Sequence, residues 1–146
     1  MFDGIDPNDR PERPEDERIA RLEETRRILE KHGRAFRAWR DDEGGCCIGQ
    51  AMLLARGIES ERWRIIKLRL LPETPVILMA ARHVTRIRYT FVPTFNDNSS
   101  DEVVAAVIAE AIALIRAGTA PAPERGYFVR VLAKGFASIA ATGPHV

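Results

Sequence analysis

Two polar corners, each followed at once by an apolar segment of helical length, constrain the fold of this 146-residue chain more than any other feature. The first corner, at residues 44–51, places two glycines before Cys46 and Cys47; the second, at residues 95–104, places an Asn-Asp pair and two serines before a valine pair. Glycine and asparagine favour tight turns, whereas an unbroken run of small and aliphatic residues favours a buried helix. The sequence therefore predicts two turns that each lead into a helix of one shared hydrophobic core.

The helix after the second corner should be the central one. Residues 103–115 are apolar on nearly every side and are interrupted only by Glu110. Ser99 followed three residues later by Glu102 predicts a capping box at the start of this helix, and Gly118 predicts its end. The stretch is shorter than the ~20 residues that a bilayer requires. We therefore predict a buried helix and no membrane partner.

Helical periodicity also marks the earlier part of the chain. Between residues 15 and 32, isoleucines and leucines fall on one stripe while arginines and glutamates occupy the other sides, and Gly33 fits a left-handed cap at the end. A second helix is predicted from Cys46 to Arg56. Its glycine at position 49 and the two glycines before it indicate that another segment approaches the backbone closely.

The segment 64–92 allows two interpretations. Apolar and basic residues alternate at 66–70 and again at 87–91, as they do in strands. Thr74 and Pro75, however, fit the cap and the first residue of a helix that reaches about Arg86. Helix is the main prediction, and a small two-stranded hairpin is the alternative. The predicted fold class is mainly α, a compact helical domain of about five helices.

Three regions divide the chain. Residues 1–14 are rich in proline and aspartate and predict a mobile N-terminal arm. Residues 15–118 form the predicted helical domain. Residues 119–146 begin with a stiff Pro-Ala-Pro linker and continue as an amphipathic helix that has Phe128, Leu132 and Phe136 on one side.

Composition and charge exclude several classes of protein. The formal net charge is only +1, whereas a general DNA-binding protein carries a large positive charge, so we do not expect this class. The first 14 residues lack the apolar core of a signal peptide. The two cysteines are adjacent in sequence and are expected to stay reduced, so we expect a cytoplasmic location. The histidines and cysteines lack the spacing of a zinc site, and the acids lack that of a calcium loop, so we expect no metal and no cofactor.

The two corners carry short motifs that are similar to those of a known family. Residues 44–51 resemble a Gly-x-Cys-x-x-Gly-Ala-Leu pattern, and residues 95–103 resemble Trp-Asn-Asp followed by a Ser/Thr-initiated helix with Glu-Val near its start. Over roughly residues 15–118 the chain thus resembles a family of small bacterial and phage proteins classed as a domain of unknown function. Phe95 replaces the family's Trp, and Gln50-Ala51 replaces Ala-Leu. The resemblance implies a compact helical domain and no established reaction.

The leading functional hypothesis is a non-enzymatic protein-interaction module, of phage or mobile-element origin. It would bind a protein partner, or a second copy of itself, through the C-terminal amphipathic helix or through the basic middle of the chain. The candidate binding residues are Arg62, Arg69, Arg86, Arg88, Phe128, Leu132 and Phe136.

Two alternatives remain open. The first is a small cysteine hydrolase or transferase with Cys46 as nucleophile, Cys47 as its substitute, His83 as base and Asp97 as the group that orients the base. A helix N-terminus lowers the pKa of a thiol, although free cysteines are more often small packing residues. The second alternative is nucleic-acid binding through the basic segment 62–88, with Trp63 and Tyr89 supplying aromatic rings for stacking.

Overall fold

The computed structural model describes residues 15–121, so the predicted mobile arm at 1–14 and the predicted amphipathic helix beyond residue 121 lie outside the described residues. The described chain forms six helices and only isolated β-bridges. The helices are α1 (Glu17–His32), α2 (Ile48–Ala55), α3 (Arg64–Leu70), α4 (Glu73–Thr85), α5 (Val92–Asp97) and α6 (Asp101–Arg116). The prediction of a compact, mainly helical domain is confirmed.

Helix α6 packs against α4 and α1 along one side and is exposed along the other, so the prediction of a central helix that is mostly buried holds for one side only. Its buried side is aliphatic, whereas its outer side exposes small alanines such as Ala105 and Ala109. Its core side chains join those of the other five helices in one hydrophobic cluster. Members of this cluster include Ile19, Leu22, Met52, Leu53, Leu68, Ile77, Phe95, Val107, Ile108 and Ala111. No helix within residues 15–121 is long and apolar enough to cross a membrane.

Segment 64–92 follows the helical interpretation, and the alternative hairpin does not form. The alternating residues 66–70 belong to α3, which buries Lys67 and Leu68 and leaves Ile65 and Ile66 exposed. Five residues of alternation are too few to distinguish a strand from little more than one helical turn. Residues 87–91 run without regular structure into α5.

Two predicted helix starts need correction. Helix α4 begins at Glu73, and the Thr74 hydroxyl donates a hydrogen bond to the Leu68 carbonyl at 2.5 Å, so Thr74 ties α4 to α3 instead of capping α4. In α6 the cap is Ser100, whose hydroxyl accepts from the Val103 N–H at 3.2 Å. The predicted box from Ser99 was therefore wrong by one residue. The neighbouring serine is instead mostly buried in the turn before α6.

A buried ion pair joins the end of α2 to the start of α4. Arg56 Nε donates to Glu73 Oε2 at 3.0 Å, and the Glu73 side chain is almost completely buried. Burial raises the pKa of Glu73, although the guanidinium beside it acts in the opposite direction. The pair leaves neither charge alone in the core, where an unpaired charge would strongly destabilise the fold.

Candidate functional site

The two polar corners of the sequence meet at the side chain of Asn96, which is fully buried. Its Oδ1 accepts a hydrogen bond from the Ile48 N–H at 3.1 Å. Its Nδ2 donates to the Ala35 carbonyl at 2.8 Å and to Asp97 Oδ1 at 3.1 Å. One amide group thus joins the start of α2, the loop after α1 and the end of α5. The Asn-Asp pair, which the sequence placed in a turn, ends a short helix and holds the backbone of its neighbours.

Arg34 makes a second connection between the same segments. Its side chain is only 4% exposed and donates to Asp101 Oδ1 at 2.8 Å. It also donates to the carbonyls of Asn96 and Ser99. The guanidinium thereby satisfies one carbonyl at the end of α5, one in the turn between α5 and α6, and a carboxylate in the first turn of α6. This buried arginine anchors the loop that precedes the cysteines.

The first corner is compact because its glycines have close neighbours. A Cβ on Gly49 would lie 2.8 Å from Leu68 Cδ2 and 3.2 Å from Trp39 Cζ3. A Cβ on Gly45 would lie 2.7 Å from Asp41 Oδ2, and Asp41 Oδ1 accepts the Gly45 N–H at 2.7 Å. The predicted close approach to the backbone is therefore confirmed at these two positions.

Both cysteines are buried in this corner. Cys47 is the N-cap of α2, and its sulfur accepts the Gln50 N–H at 3.3 Å. Burial raises the pKa of the Cys46 thiol to about 11 and also raises that of Cys47, despite the helix N–H groups that favour its thiolate. Desolvation thus reverses the direction of shift that the helix N-terminus predicted.

Of the proposed catalytic residues, the structure brings Cys47 and Asp97 together but leaves His83 elsewhere. Cys47 and Asp97 line one surface depression of about 320 Å³. His83 lies on the exposed side of α4, with Nδ1 2.9 Å from Glu110 Oε2, and lines a separate depression. Among the hydrogen bonds of residues 15–121, none joins His83 to Asp97 or to either cysteine. These positions weigh against a Cys-His-Asp catalytic set.

The four candidate arginines within the described residues are all exposed. Arg62 precedes α3, and Arg69 lies on α3 with its guanidinium 5.5 Å from the centre of the Phe91 ring. Arg86 and Arg88 follow α4, and the chain then returns to α3, since Thr90 and Arg69 line one depression. Phe128, Leu132 and Phe136 lie outside the described residues.

The structure reveals an apolar surface that the sequence interpretation missed. Two depressions, of about 520 and 320 Å³, adjoin because both are lined by Trp39 and Ile65. We call the apolar residues around them the aromatic face. It consists of Trp39, Trp63, Ile65, Ile66 and Phe91. The Ile65 side chain is 49% exposed and that of Ile66 is 44% exposed, which is unusual for neighbouring large aliphatic residues.

Charged side chains and a strained backbone lie beside the aromatic face. The Arg64 guanidinium lies 4.9 Å from the centre of the Trp39 ring and 3.1 Å from Glu61 Oε1. Trp63 has a left-handed backbone (φ 62°), which is rare for a bulky residue, and no side chain caps the helix that it precedes. Trp63 Nε1 and Arg64 Nε are buried donors without a hydrogen-bond acceptor among residues 15–121. Burial, together with the charge of Arg62, lowers the pKa of Lys67.

One signal in the sequence could have revealed this surface. In a helix, consecutive residues are 100° apart, so a helix that buries Lys67 and Leu68 turns the two preceding isoleucines outward. Because residues 66–70 alternate as in a strand, the sequence pattern did not indicate that Ile65 and Ile66 face solvent.

The described residues include no group of three or more histidine, cysteine, aspartate or glutamate side chains placed to hold a metal ion. Comparison of the chain with protein-family models, with curated proteins and with solved structures gave no match.

Proposed function

We propose that this protein is a non-enzymatic interaction module whose aromatic face binds an acidic protein segment that carries apolar side chains. The observation that carries the proposal is the exposure of Ile65 and Ile66 beside two tryptophans. Covering such side chains contributes about 25 cal/mol per Å² of apolar surface removed from water. Tryptophan and arginine are also the residues that most often dominate the energy of protein interfaces.

The charges around the aromatic face favour an acidic partner. Three bases and two acids line the two depressions or contact a ring of the face, namely Arg37, Arg64, Arg69, Glu61 and Asp97. One of the acids, Glu61, is already paired with Arg64. The remaining positive charge would steer an acidic segment toward the apolar surface and fix its orientation.

A protein fits this surface better than a nucleic acid. Bases bind through stacking on open aromatic rings, whereas here Arg64 lies over Trp39 and Arg69 lies over Phe91. The exposed residues between these rings are aliphatic.

Backbone strain provides further support. Trp63 and Arg37 both have left-handed backbones, and both line the adjoining depressions. Conformations of this kind cost about 1–3 kcal/mol each and occur preferentially at ligand clamps and binding sites. The buried, unpaired donor on Trp63 adds a group that an acceptor on a partner, or a rearrangement on binding, would satisfy.

Intrinsic fluorescence offers a direct test, because Trp39 and Trp63 are the only tryptophans of the chain. Peptides are selected from a random displayed library against the full-length protein, and the enriched sequences are titrated while tryptophan emission is followed. We expect enrichment of aspartate and glutamate interspersed with leucine and phenylalanine. We expect Ile65→Glu to weaken binding by about 10- to 100-fold, because it places a charge at the centre of the apolar contact.

Ile87→Glu is the matched control. Ile87 is 52% exposed, nearly the same as Ile65, and lies outside the aromatic face. The proposal fails if both substitutions have the same effect, or if the selected peptides lack acidic residues. It also fails in favour of nucleic-acid binding if single-stranded DNA changes the tryptophan emission at lower concentration than the peptides do, with a steep dependence on salt.

A further inference from the structure

A second surface lies away from the aromatic face, between the end of α1 and the start of α6. It is a groove of about 450 Å³. Leu29, Val104 and Ile108 supply apolar side chains, Ala105 lines the groove from an exposed position, and Glu30 and Glu102 contribute negative charge. A groove of this volume accommodates large apolar side chains.

The described chain ends at Pro121, and the position of this residue limits which segment can reach the groove. Arg18 Nη1 donates to the Pro121 carbonyl at 2.7 Å, and Arg116 Nε lies 3.0 Å from Glu15 Oε1. The end of α6 therefore lies beside the start of α1, and the two helices run antiparallel. The groove is at the opposite end of the same pair. Helix α6 has 16 residues, so the distance from the chain exit to the groove is about 24 Å.

The chain beyond Pro121 is long enough to reach the groove. It has 25 residues, 122–146, and spans about 37 Å even if all of it were helical. The outer side of α6 along this path carries Ala105, Ala109 and Ala113, which are exposed and allow a second helix to approach closely.

We propose that the C-terminal segment of this chain folds back along α6 and binds in the groove through the apolar side of its amphipathic pattern. Phe128, Leu132 and Phe136 recur at four-residue intervals, the spacing of one helical side. Residues 122–146 contain three bases and one acid, net +2. The groove is lined by three acids and two bases, net −1. Asp101 pairs with Arg34 and Glu30 pairs with Arg26, so Glu102 carries the remaining negative charge. The two surfaces are therefore complementary in both hydrophobicity and charge.

Hydrogen–deuterium exchange of the full-length protein tests this docking. We expect backbone amides within 126–140 to exchange at least about tenfold more slowly than in an unfolded chain. Ala105→Arg places a bulky positive side chain at the groove and should remove that protection. Because position 105 is exposed on a helix and arginine is a good helix former, the fold should be retained.

Ala20→Arg is the control, since Ala20 is an exposed helical alanine that does not line the groove. It should leave the protection of the segment intact, and circular dichroism should show both variants folded. The proposal is overturned if the segment exchanges freely in the wild-type protein or if both variants lose protection equally. It is also overturned if protection increases with protein concentration, because the occupant would then be the segment of a second copy. None of these outcomes depends on the aromatic face, which Ile65→Glu tests separately.

Discussion

The side-chain oxygen of Asn96 accepts a hydrogen bond from the backbone N–H of Ile48 at 3.1 Å, so the end of α5 caps the start of α2 across 48 residues of sequence. The first four N–H groups of a helix have no partner within the helix, and in α2 this remote amide and the sulfur of Cys47 satisfy two of them. The motifs at the two corners therefore have a structural explanation: each corner holds the other in place.

Substitution of Asn96 by alanine should strongly destabilise the protein. The change leaves the Ile48 N–H and the Ala35 carbonyl buried without a partner, and each such group costs about 1–3 kcal/mol. We expect the free energy of unfolding, measured by urea denaturation, to fall by about 2–4 kcal/mol. Asn98→Ala is the control, because Asn98 is exposed and bonds only to the Thr94 carbonyl. Equal effects of the two substitutions would refute the clamp.

The cap of α6 can be assigned by comparing two adjacent serines. Ser100→Ala removes the acceptor of the Val103 N–H and should lower the free energy of unfolding by about 1 kcal/mol. Ser99→Ala should have a smaller effect, because no side-chain hydrogen bond of Ser99 contributes to the cap. Thermal and urea unfolding of both variants would decide the question. A larger loss for Ser99→Ala would restore the capping box that the sequence pattern predicted.

Gly49→Ala should be destabilising even though alanine is the better helix former. The added methyl would lie 2.8 Å from Leu68 and 3.2 Å from Trp39 and would force α3 away from α2. Overpacking costs about 1–3 kcal/mol, and the gain in helix propensity is about 1 kcal/mol. We expect a net loss of up to about 2 kcal/mol in urea unfolding. The double variant with Leu68→Ala should show non-additive costs, because the truncated leucine makes room for the methyl. A Gly49→Ala variant more stable than the wild type would contradict the close contact.

The thiol of Cys46 should react slowly at neutral pH. Its pKa of about 11, against 9.0 for an ordinary thiol, reduces the thiolate population at pH 8 by about 100-fold. Alkylation by iodoacetamide, followed by mass spectrometry, should therefore be slow in the native protein, accelerate toward pH 11 and become fast in urea. Cys46→Ala isolates the rate of Cys47. Rapid and selective alkylation of one thiol at pH 7 would instead support the cysteine-nucleophile hypothesis.

The same shift determines how stability depends on pH. The pKa of Cys46 is higher in the folded than in the unfolded state, so its contribution to stability is complete below pH 9 and is lost as the pH rises through 11. The difference in unfolding free energy between the wild type and Cys46→Ala should decrease over that range. An unchanged difference would mean that the thiol is not desolvated.

Two helices were predicted closely. The predicted spans of 15–32 for α1 and 46–56 for α2 agree with the structure to within two residues at each end. Each contains enough residues for the apolar period to be evident, and each ends at a clear signal. Helix α5 was not predicted, because six residues that include a proline and an Asn-Asp pair have the composition of a turn.

The candidate site was harder to predict, because its properties depend on distance and on water. A thiol at a helix start has a lowered pKa if it is solvated and a raised pKa if it is buried, and burial is set by segments remote in sequence. The position of His83 likewise depends on packing. The sequence suggested His83 as a base for the cysteines, but the packing of α4 on α6 places it beside Glu110.

Local periodicity and turn chemistry in the sequence determined that residues 15–121 are mainly helical and which segments are the long helices. These properties depend on neighbouring residues along the chain. Only the tertiary structure decided that Asn96 caps α2, that both thiols are desolvated and that Ile65 and Ile66 lie exposed beside two tryptophans. Each of these depends on how helices far apart in sequence pack, and packing determines which polar groups find partners and which apolar groups remain in contact with water.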